Sequence, residues 1–385
     1  MKIAMIGQKG VPAVSGGIER HVEELSVELA ARGHEVLVFC RSWYTGRKER
    51  EYAHRGVRCL TVPSIRTKHL DAITHAFLAI VRAAREDADV FHIHGVGPAL
   101  LSWLPKLLRP RAAVLVTFHC IDRHHQKWNL IARMALHLGE WMSCYAPDAT
   151  IAVSKTLQSY CRLSYSADTV YVPNGARAPE WTDVSLLEAF DLVPGKYLMF
   201  CARLVRHKGA HLLVEAWKAL RERRPDIVMG WKLAIVGGGA FTDGYVDELR
   251  ASCEDDDSIV LTGPRSGIEL STLFAHAAAN VHPSDSEGLP LAILEAMSHG
   301  KAVLSSDIPE NRELTEEHGL VFRRADARDL AIKLEWILTH PDEARMIGRE
   351  ARVYVARSYD WGDIADTTGY LYEAALAERT WQEAT

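Results

Sequence analysis

The sequence predicts an α/β fold of two doubly wound domains facing a central cleft, and three observations carry that prediction. At 385 residues the chain exceeds what one ordinary hydrophobic core serves. Short, continuously apolar runs alternate with helical patterns, as buried parallel strands alternate with crossover helices. The stretch Gly175–Gly195, with Pro179 and Pro194 and little pattern before Leu186, reads as a linker. The expected boundaries are 1–178 for a first domain, 179–194 for the linker, 195–358 for a second domain and 359–385 for a C-terminal segment.

In the first half the expected strands are Lys2–Gly7, Glu35–Cys40, Val57–Pro63, Asp89–His94, Ala113–His119, Ala149–Ser154 and Thr169–Pro173. The first helix shows Ile18, Val22, Leu25 and Leu29 on one face and stops at Gly33. In the second half they are Lys196–Cys201, Trp231–Val236, Ser258–Thr262, Ala279–His282, Ala302–Ser305 and Gly319–Phe322. Two successive βαβ sets imply ligands at the carboxyl ends of the strands.

A net charge of −5 gives no support for nucleic-acid binding. Seven scattered cysteines without C-x-x-C read as reduced thiols in a cytosol. The start M-K-I-A-M-I-G turns polar too soon for a signal peptide, and no apolar run approaches membrane-spanning length. The expected location is therefore cytoplasmic. Between Leu100 and Arg111, Leu100, Leu101, Trp103, Leu104, Leu107 and Leu108 interleave with Lys106, Arg109 and Arg111. Such a helix can lie on the cytoplasmic face of an anionic membrane, and an ordinary packed helix with cationic edges has the same pattern.

Five strand-end loops carry chemistry. Gly7–His21 contains Gly16 and Gly17 just before a helix, where backbone can approach a ligand. Its G-x-x-G spacing, with Cys40-Arg41 after the second strand, does not match a dinucleotide fingerprint. Thr117–Asp122 places His119 at a strand end. His92, His94, His124 and His125 raise a metal alternative, but no set of Asp or Cys completes it, so no metal site is expected. In Cys201–Gly209, Arg203 can grip phosphate oxygens bidentately and Lys208 can act as a point charge, so together they could neutralise a diphosphate. Val236–Gly239 and Leu261–Ser266, with Gly237, Gly263 and Pro264, are glycine turns able to admit a base and ribose, or plain turns. The fifth loop, Ser284–Glu295, reads S-D-S-E-G-L-P-L-A-I-L-E. A helix is expected from Pro290, placing Glu287 at its mouth and Glu295 about two turns in. The two carboxylates could be an acid/base pair or acceptors for the hydroxyls of a polyol. Asp255-Asp256-Asp257 contains D-x-D but reads as a solvated acidic turn.

Taken together, G-Q-K-G-V-P-A-V-S-G-G-I-E, V-P-N-G at Val172–Gly175, A-R-L-V-R-H-K-G, V-G-G-G and E-G-L-P-L-A-I-L-E-A-M resemble the family-4 retaining glycosyltransferases of GT-B architecture. The start is similar to bacterial exopolysaccharide, capsule and O-antigen enzymes. The resemblance implies two Rossmann-like domains, with a last helix over Trp361–Ala377 crossing back onto the first. It implies transfer from a nucleotide sugar to a saccharide or lipid-linked saccharide, with retention, without metal or other cofactor. Arg203 and Lys208 would hold the diphosphate, Glu287 would contact the donor sugar and Glu295 the ribose. Gly288 and Leu289 would offer backbone N–H groups, Gly17 would approach the diphosphate, and His119 would touch the sugar near its hydroxymethyl group. Cys120 stands where similar enzymes commonly have glycine, which leaves the acceptor side in doubt. Rival readings are an epimerase or hydrolase of the same fold, which would turn over without acceptor, and a non-catalytic sugar-binding protein.

Overall fold

The computed structural model describes residues 1–67, 70–121, 130–177, 181–239 and 243–384. The chain divides into two compact units, Met1–Asn174 with Trp361–Thr385, and Gly175–Asp360.

The first unit holds eight strands: β1 Lys2–Ile6, β2 Glu35–Cys40, β3 Glu51–His54, β4 Val57–Thr61, β5 Val90–His94, β6 Ala113–Phe118, β7 Ala149–Ala152 and β8 Val170–Tyr171. Their order is β3-β4-β2-β1-β5-β6-β7-β8. All pairs are parallel except β3 with β4. Continuous apolarity in β1 and β6 follows from this arrangement, because helices cover both faces and leave no residue for water. Ala4 and Ile6 join Leu37, Phe39, Phe91 and Ile93 on one face, while Ile3 and Met5 are equally buried. β3 lies outside the expected set because it is an edge strand with alternating exposure, not an apolar run.

The second unit holds β9 Tyr197–Cys201, β10 Lys232–Val236, β11 Ile259–Gly263, β12 Ala279–His282, β13 Ala302–Ser306 and β14 Leu320–Phe322. They form an all-parallel sheet in the order β11-β10-β9-β12-β13-β14. Each of the six expected runs became a strand. The core on one face centres on Trp217, whose indole N–H reaches Ser258 Oγ at 2.9 Å, so its polar atom is satisfied.

Two expectations are corrected. From Trp181 onward, the stretch read as a linker over 179–194 is folded into the second unit. A 3₁₀ helix covers Val184–Phe190, Leu187 is buried, and the Asp183 and Gly195 amides donate to Thr272 Oγ1 and the His276 carbonyl. Leu100–Arg111 is not one amphipathic helix. It is a turn leading into the five-residue helix Leu104–Leu108, with Leu104 buried, Lys106 paired to Asp148 and Arg109 to Asp87. A longer apolar stripe lies on the helix Leu130–Tyr145, where Leu130, Met134, Leu138, Trp141 and Tyr145 recur at helical spacing and are all exposed. Among the described residues no helix is long and apolar enough to cross a membrane.

The final helix, Trp361–Ala384, belongs to the first unit. Its anchors are Trp361, Arg379, which donates to Asp148, and the buried Tyr372, whose hydroxyl meets His92 Nδ1 at 2.7 Å. Burial lowers His92 to about 3. Its folded value thus lies below the unfolded one, so between them the unfolded chain binds more protons. The contribution is complete above about pH 6.5 and is lost as pH falls. Urea unfolding between pH 6 and 4 is expected to show a slope shallower by about 1.4 kcal/mol per pH unit in His92→Gln than in the parent chain. Equal slopes would show that His92 does not titrate on unfolding.

Candidate active site

In the second unit the strand order reverses between β9 and β12, and the crevice at the carboxyl ends of such a pair is where doubly wound sheets bind ligands. β9 runs into the loop 202–209 and β12 into Pro283–Pro290. The two loops are stitched together. The Asp285 amide donates to the His207 carbonyl at 2.7 Å. Gly209 sits at φ +76°, and a Cβ there would lie 2.1 Å from the Pro283 carbonyl oxygen, so only glycine fits.

The stitching brings three ionisable side chains together. Lys208 Nζ lies 2.5 Å from Glu287 Oε2, and His282 Nε2 lies 2.7 Å from Glu287 Oε1. An ionised carboxylate only accepts, so His282 Nε2 carries the proton. Burial alone would raise the Glu287 carboxyl. Lys208 and the His282 hydrogen bond more than offset it, and the group lies well below the ordinary carboxylate range. Glu287 is thus a clamped anion, not half of a free acid/base pair. Glu310, half-buried, is raised by burial and by its proximity to Glu287. Arg203 is exposed, and among the described residues its guanidinium has no carboxylate partner. One free cation therefore stands in the same loop as a cation already neutralised.

The glycine turns adjoin this loop. Gly237 is at φ +150°, and a Cβ there would meet the Ala202 carbonyl oxygen at 1.9 Å. Its amide donates to the Gly263 carbonyl at 3.0 Å, and Leu204 N donates to Gly238 O at 2.9 Å. Pro264 packs 3.5 Å from where a Gly238 Cβ would be. Gly237, Gly263 and Pro264 are thus assembled beside Arg203. The helix of the fifth loop is Leu291–Ser298, so Pro290 precedes it as the N-cap and is not its first residue. Leu294 and Met297 are buried, as is the Gly288-Leu289 backbone step. Glu295 stays partly exposed, close enough to Cys201 at the end of β9 to add to the effect of burial in raising that thiol. Beneath the loop, Ser306 Oγ donates to the Ser284 carbonyl at 2.5 Å and Asn311 Nδ2 to Ser306 Oγ at 2.9 Å.

In the first unit the order reverses between β1 and β5. Gly16 is the N-cap of the helix Gly17–Ala31 at φ +105°, and a Cβ there would strike Glu19 Oε2 at 2.0 Å. Glu19 itself therefore occupies the helix mouth, where it accepts from the Lys9 amide at 3.1 Å. His119, one residue past β6, lies against His94 and His21. His21, His94 and His119 offer ring nitrogens within 4.8 Å of one another, the one such group among the described residues. His94 Nδ1 and His119 Nε2, 3.1 Å apart, already satisfy each other by a hydrogen bond. Asp122, His124 and His125 lie outside the described residues. Asp256 of the acidic turn is buried and accepts from Ser258 Oγ at 2.6 Å and from Arg221, which makes it a structural cap and not a ligand.

Sequence reasoning missed His282. It was read only as a strand end, although a histidine five positions before Glu287 across a proline turn was the available signal.

Residues 15–178 match the family model described as Glycosyltransferase Family 4, and residues 195–340 match the one described as Glycosyl transferases group 1. A glycogen synthase of Mycobacterium tuberculosis is 26% identical over 97% of this chain and 95% of that protein. A phosphatidyl-myo-inositol mannosyltransferase of Mycolicibacterium smegmatis is 26% identical over 94% and 90%. Sucrose-phosphate synthase from Thermosynechococcus elongatus superposes with a TM-score of 0.82 over 98% of this chain and 99% of that one, at 22% identity. Anabaena HepE in complex with UDP-glucose superposes at 0.76 over 97% and 100%, at 18% identity.

Gly209→Ala is expected to destabilise the chain by about 2 kcal/mol or more, since it combines strain at positive φ with overlap on a carbonyl. Urea denaturation checks this; a change below about 0.5 kcal/mol would show that the two loops are not tightly joined.

Proposed function

The chain belongs to the glycosyltransferases of GT-B fold, and on that premise we propose a retaining, metal-independent enzyme that moves a sugar from a nucleotide-diphosphate sugar to a lipid-linked saccharide in bacterial surface polysaccharide synthesis. The observation that carries this reading is Arg203, a guanidinium without a carboxylate partner among the described residues, in the loop at the switch point of the second sheet that also carries Lys208 of the Lys208–Glu287–His282 cluster.

Charge in this reaction develops on the departing diphosphate, and a preorganised cation there is the largest available catalytic term. Arg203 supplies it directly. Lys208 has three donors, so one can remain on Glu287 while another reaches a phosphate oxygen. Together the two cations do the neutralising that a divalent ion does in other transferases. Gly288 and Leu289 offer backbone N–H groups, Glu295 accepts from the ribose, and Gly237, Gly263 and Pro264 receive the nucleoside. Glu287 contacts the sugar as an acceptor for its hydroxyls. With both oxygens engaged and its proton affinity depressed, it is a poor nucleophile and a poor general acid. That favours attack on the same face as departure, with retention, over a double displacement through Glu287. His119 meets the transferred sugar near its hydroxymethyl group.

The lipid-linked acceptor draws support from the exposed stripe on Leu130–Tyr145. With Arg133 on the same helix, and Trp103 and Leu107 also exposed in the first unit, it suits peripheral contact with the cytoplasmic face of an anionic membrane. The chain is expected to sediment with vesicles containing anionic phospholipid and to stay in solution after Leu138→Glu with Trp141→Glu; unaltered sedimentation of that variant would place the contact elsewhere.

The reaction is tested by ranking UDP, GDP, dTDP and ADP by thermal shift, then assaying the matching sugar donors with Glu287→Gln. Transfer should be lost while the nucleotide Kd stays within about threefold, since Glu287 addresses the sugar and not the phosphates. Full turnover by the variant would remove Glu287 from the mechanism. Activity should persist in EDTA, and a loss restored by Mg²⁺ would overturn metal independence. Turnover equal with and without acceptor would point to the hydrolase or epimerase reading.

A further inference from the structure

Hydrogen bonding in the first unit decides which nitrogens of His21, His94 and His119 carry protons. His94 Nε2 lies 3.5 Å from Met5 Sδ. A thioether can only accept, so this nitrogen is the protonated one. His94 Nδ1 is then a lone-pair acceptor, and His119 Nε2, 3.1 Å away, donates to it. His119 Nδ1 is thereby left as an acceptor. His21 Nδ1 donates to Asn174 Oδ1 at 2.9 Å, so its Nε2 is also a bare acceptor. That Nε2 is buried and has no hydrogen-bond partner among the described residues.

The three rings are also uncharged. Burial lowers His21 to about 4, and it lowers His94 and His119 well below the ordinary histidine value. Protonating one ring would place a cation against the others, which opposes it further. Trp361 meets His21 edge-on at 5.4 Å, and Tyr372 and Thr117 hold His92 behind His94. The last helix therefore helps to keep the cluster dry. His119 is its most exposed member, at 7%.

We propose that this cluster is an acceptor-only, uncharged patch that selects a neutral, hydroxyl-bearing sugar over a uronate, with His94 and His21 as positioning residues that fix His119 in its Nε2–H form. The proposal rests on the assignment of His119 to the transferred sugar. A hydroxyl donates to the free Nδ1 lone pair. A carboxylate presents only lone pairs and brings a charge that these imidazoles cannot answer by protonation.

Three measurements on the full chain test it. For the nucleotide giving the largest thermal shift, calorimetry compares the Kd of its hexose with that of the corresponding hexuronate. The uronate is expected to bind about tenfold or more weakly, and equal or tighter binding would overturn the proposal. His94→Asn places an oxygen near the Nδ1 position and is expected to keep kcat within about threefold. His94→Leu is expected to lose about tenfold or more in kcat with nucleotide Kd unchanged. Equal losses in both variants would mean that His94 matters for packing alone. Spectra of ¹⁵N-histidine-labelled chain between pH 5 and 8 should show all three rings neutral, with His94 and His119 as Nε2–H tautomers. Titration of any of them in that range would overturn the proposal whether or not the enzyme turns over, whereas absent transfer with every donor would strike at the proposed reaction instead.

Discussion

The candidate site of the second unit is organised around the buried carboxylate of Glu287. Glu287 is taken out of water at the reversal point of a parallel sheet, where an unpaired carboxylate would be strongly disfavoured. Lys208 and His282 make it tolerable, one on each oxygen. Those partners come from β9's loop and β12's end, so the ion pair can form only if the two loops close on each other. The Asp285–His207 backbone bond and the Gly209–Pro283 contact are that closure. A side chain at Gly209 would hold the loops apart, and Glu287 would lose Lys208.

This explains why glycines and charges alternate along the loops. Gly237 lets the β10 loop sit on the Ala202 carbonyl, which fixes the backbone next to Arg203. Ser306 and Asn311 fasten Ser284 from below. The site is therefore rigid where charge must be preorganised. Among the described residues Arg203 alone of its lysines and arginines has no carboxylate partner, and in the proposed reaction a cation already paired has less to offer a diphosphate.

Much of this was legible in the chain. Thirteen apolar runs mark thirteen of the described strands, and the central ones are apolar throughout because parallel strands covered on both faces leave no side for water, a constraint that writes itself directly into sequence. β3 obeys no such constraint and escaped notice. The loops at β9, β10, β11 and β12 were legible because glycine and paired charges at strand ends are costly unless used. The Lys208–Glu287 contact was not. Each residue alone suited a ligand, and only the closure of two loops 79 positions apart shows that they meet each other. His282 is different: H-P-S-D-S-E places a histidine across a proline turn from Glu287, but only the folded turn shows that the two side chains meet. The supposed linker misled because a 3₁₀ segment with a single buried Leu187 has too little periodicity to read.

The two units solve opposite electrostatic problems. In the proposed reaction a departing diphosphate accumulates negative charge, and Arg203 is the cation proposed to meet it. A transferred sugar stays neutral until it becomes oxocarbenium-like, and a cation beside it would oppose that change. Histidine is the risky choice there, since an ordinary imidazole is half-charged near pH 6.5. Packing four rings together under Trp361 and Tyr372 removes the risk, because each ring's burial and its neighbours make protonation unfavourable. In the proposed reading the His119 Nδ1 lone pair then faces the sugar without charge, which is the polarity a developing cation favours. The return of the C-terminal helix to the first unit thus does more than complete a core: Trp361 packs on His21 and Tyr372 holds His92.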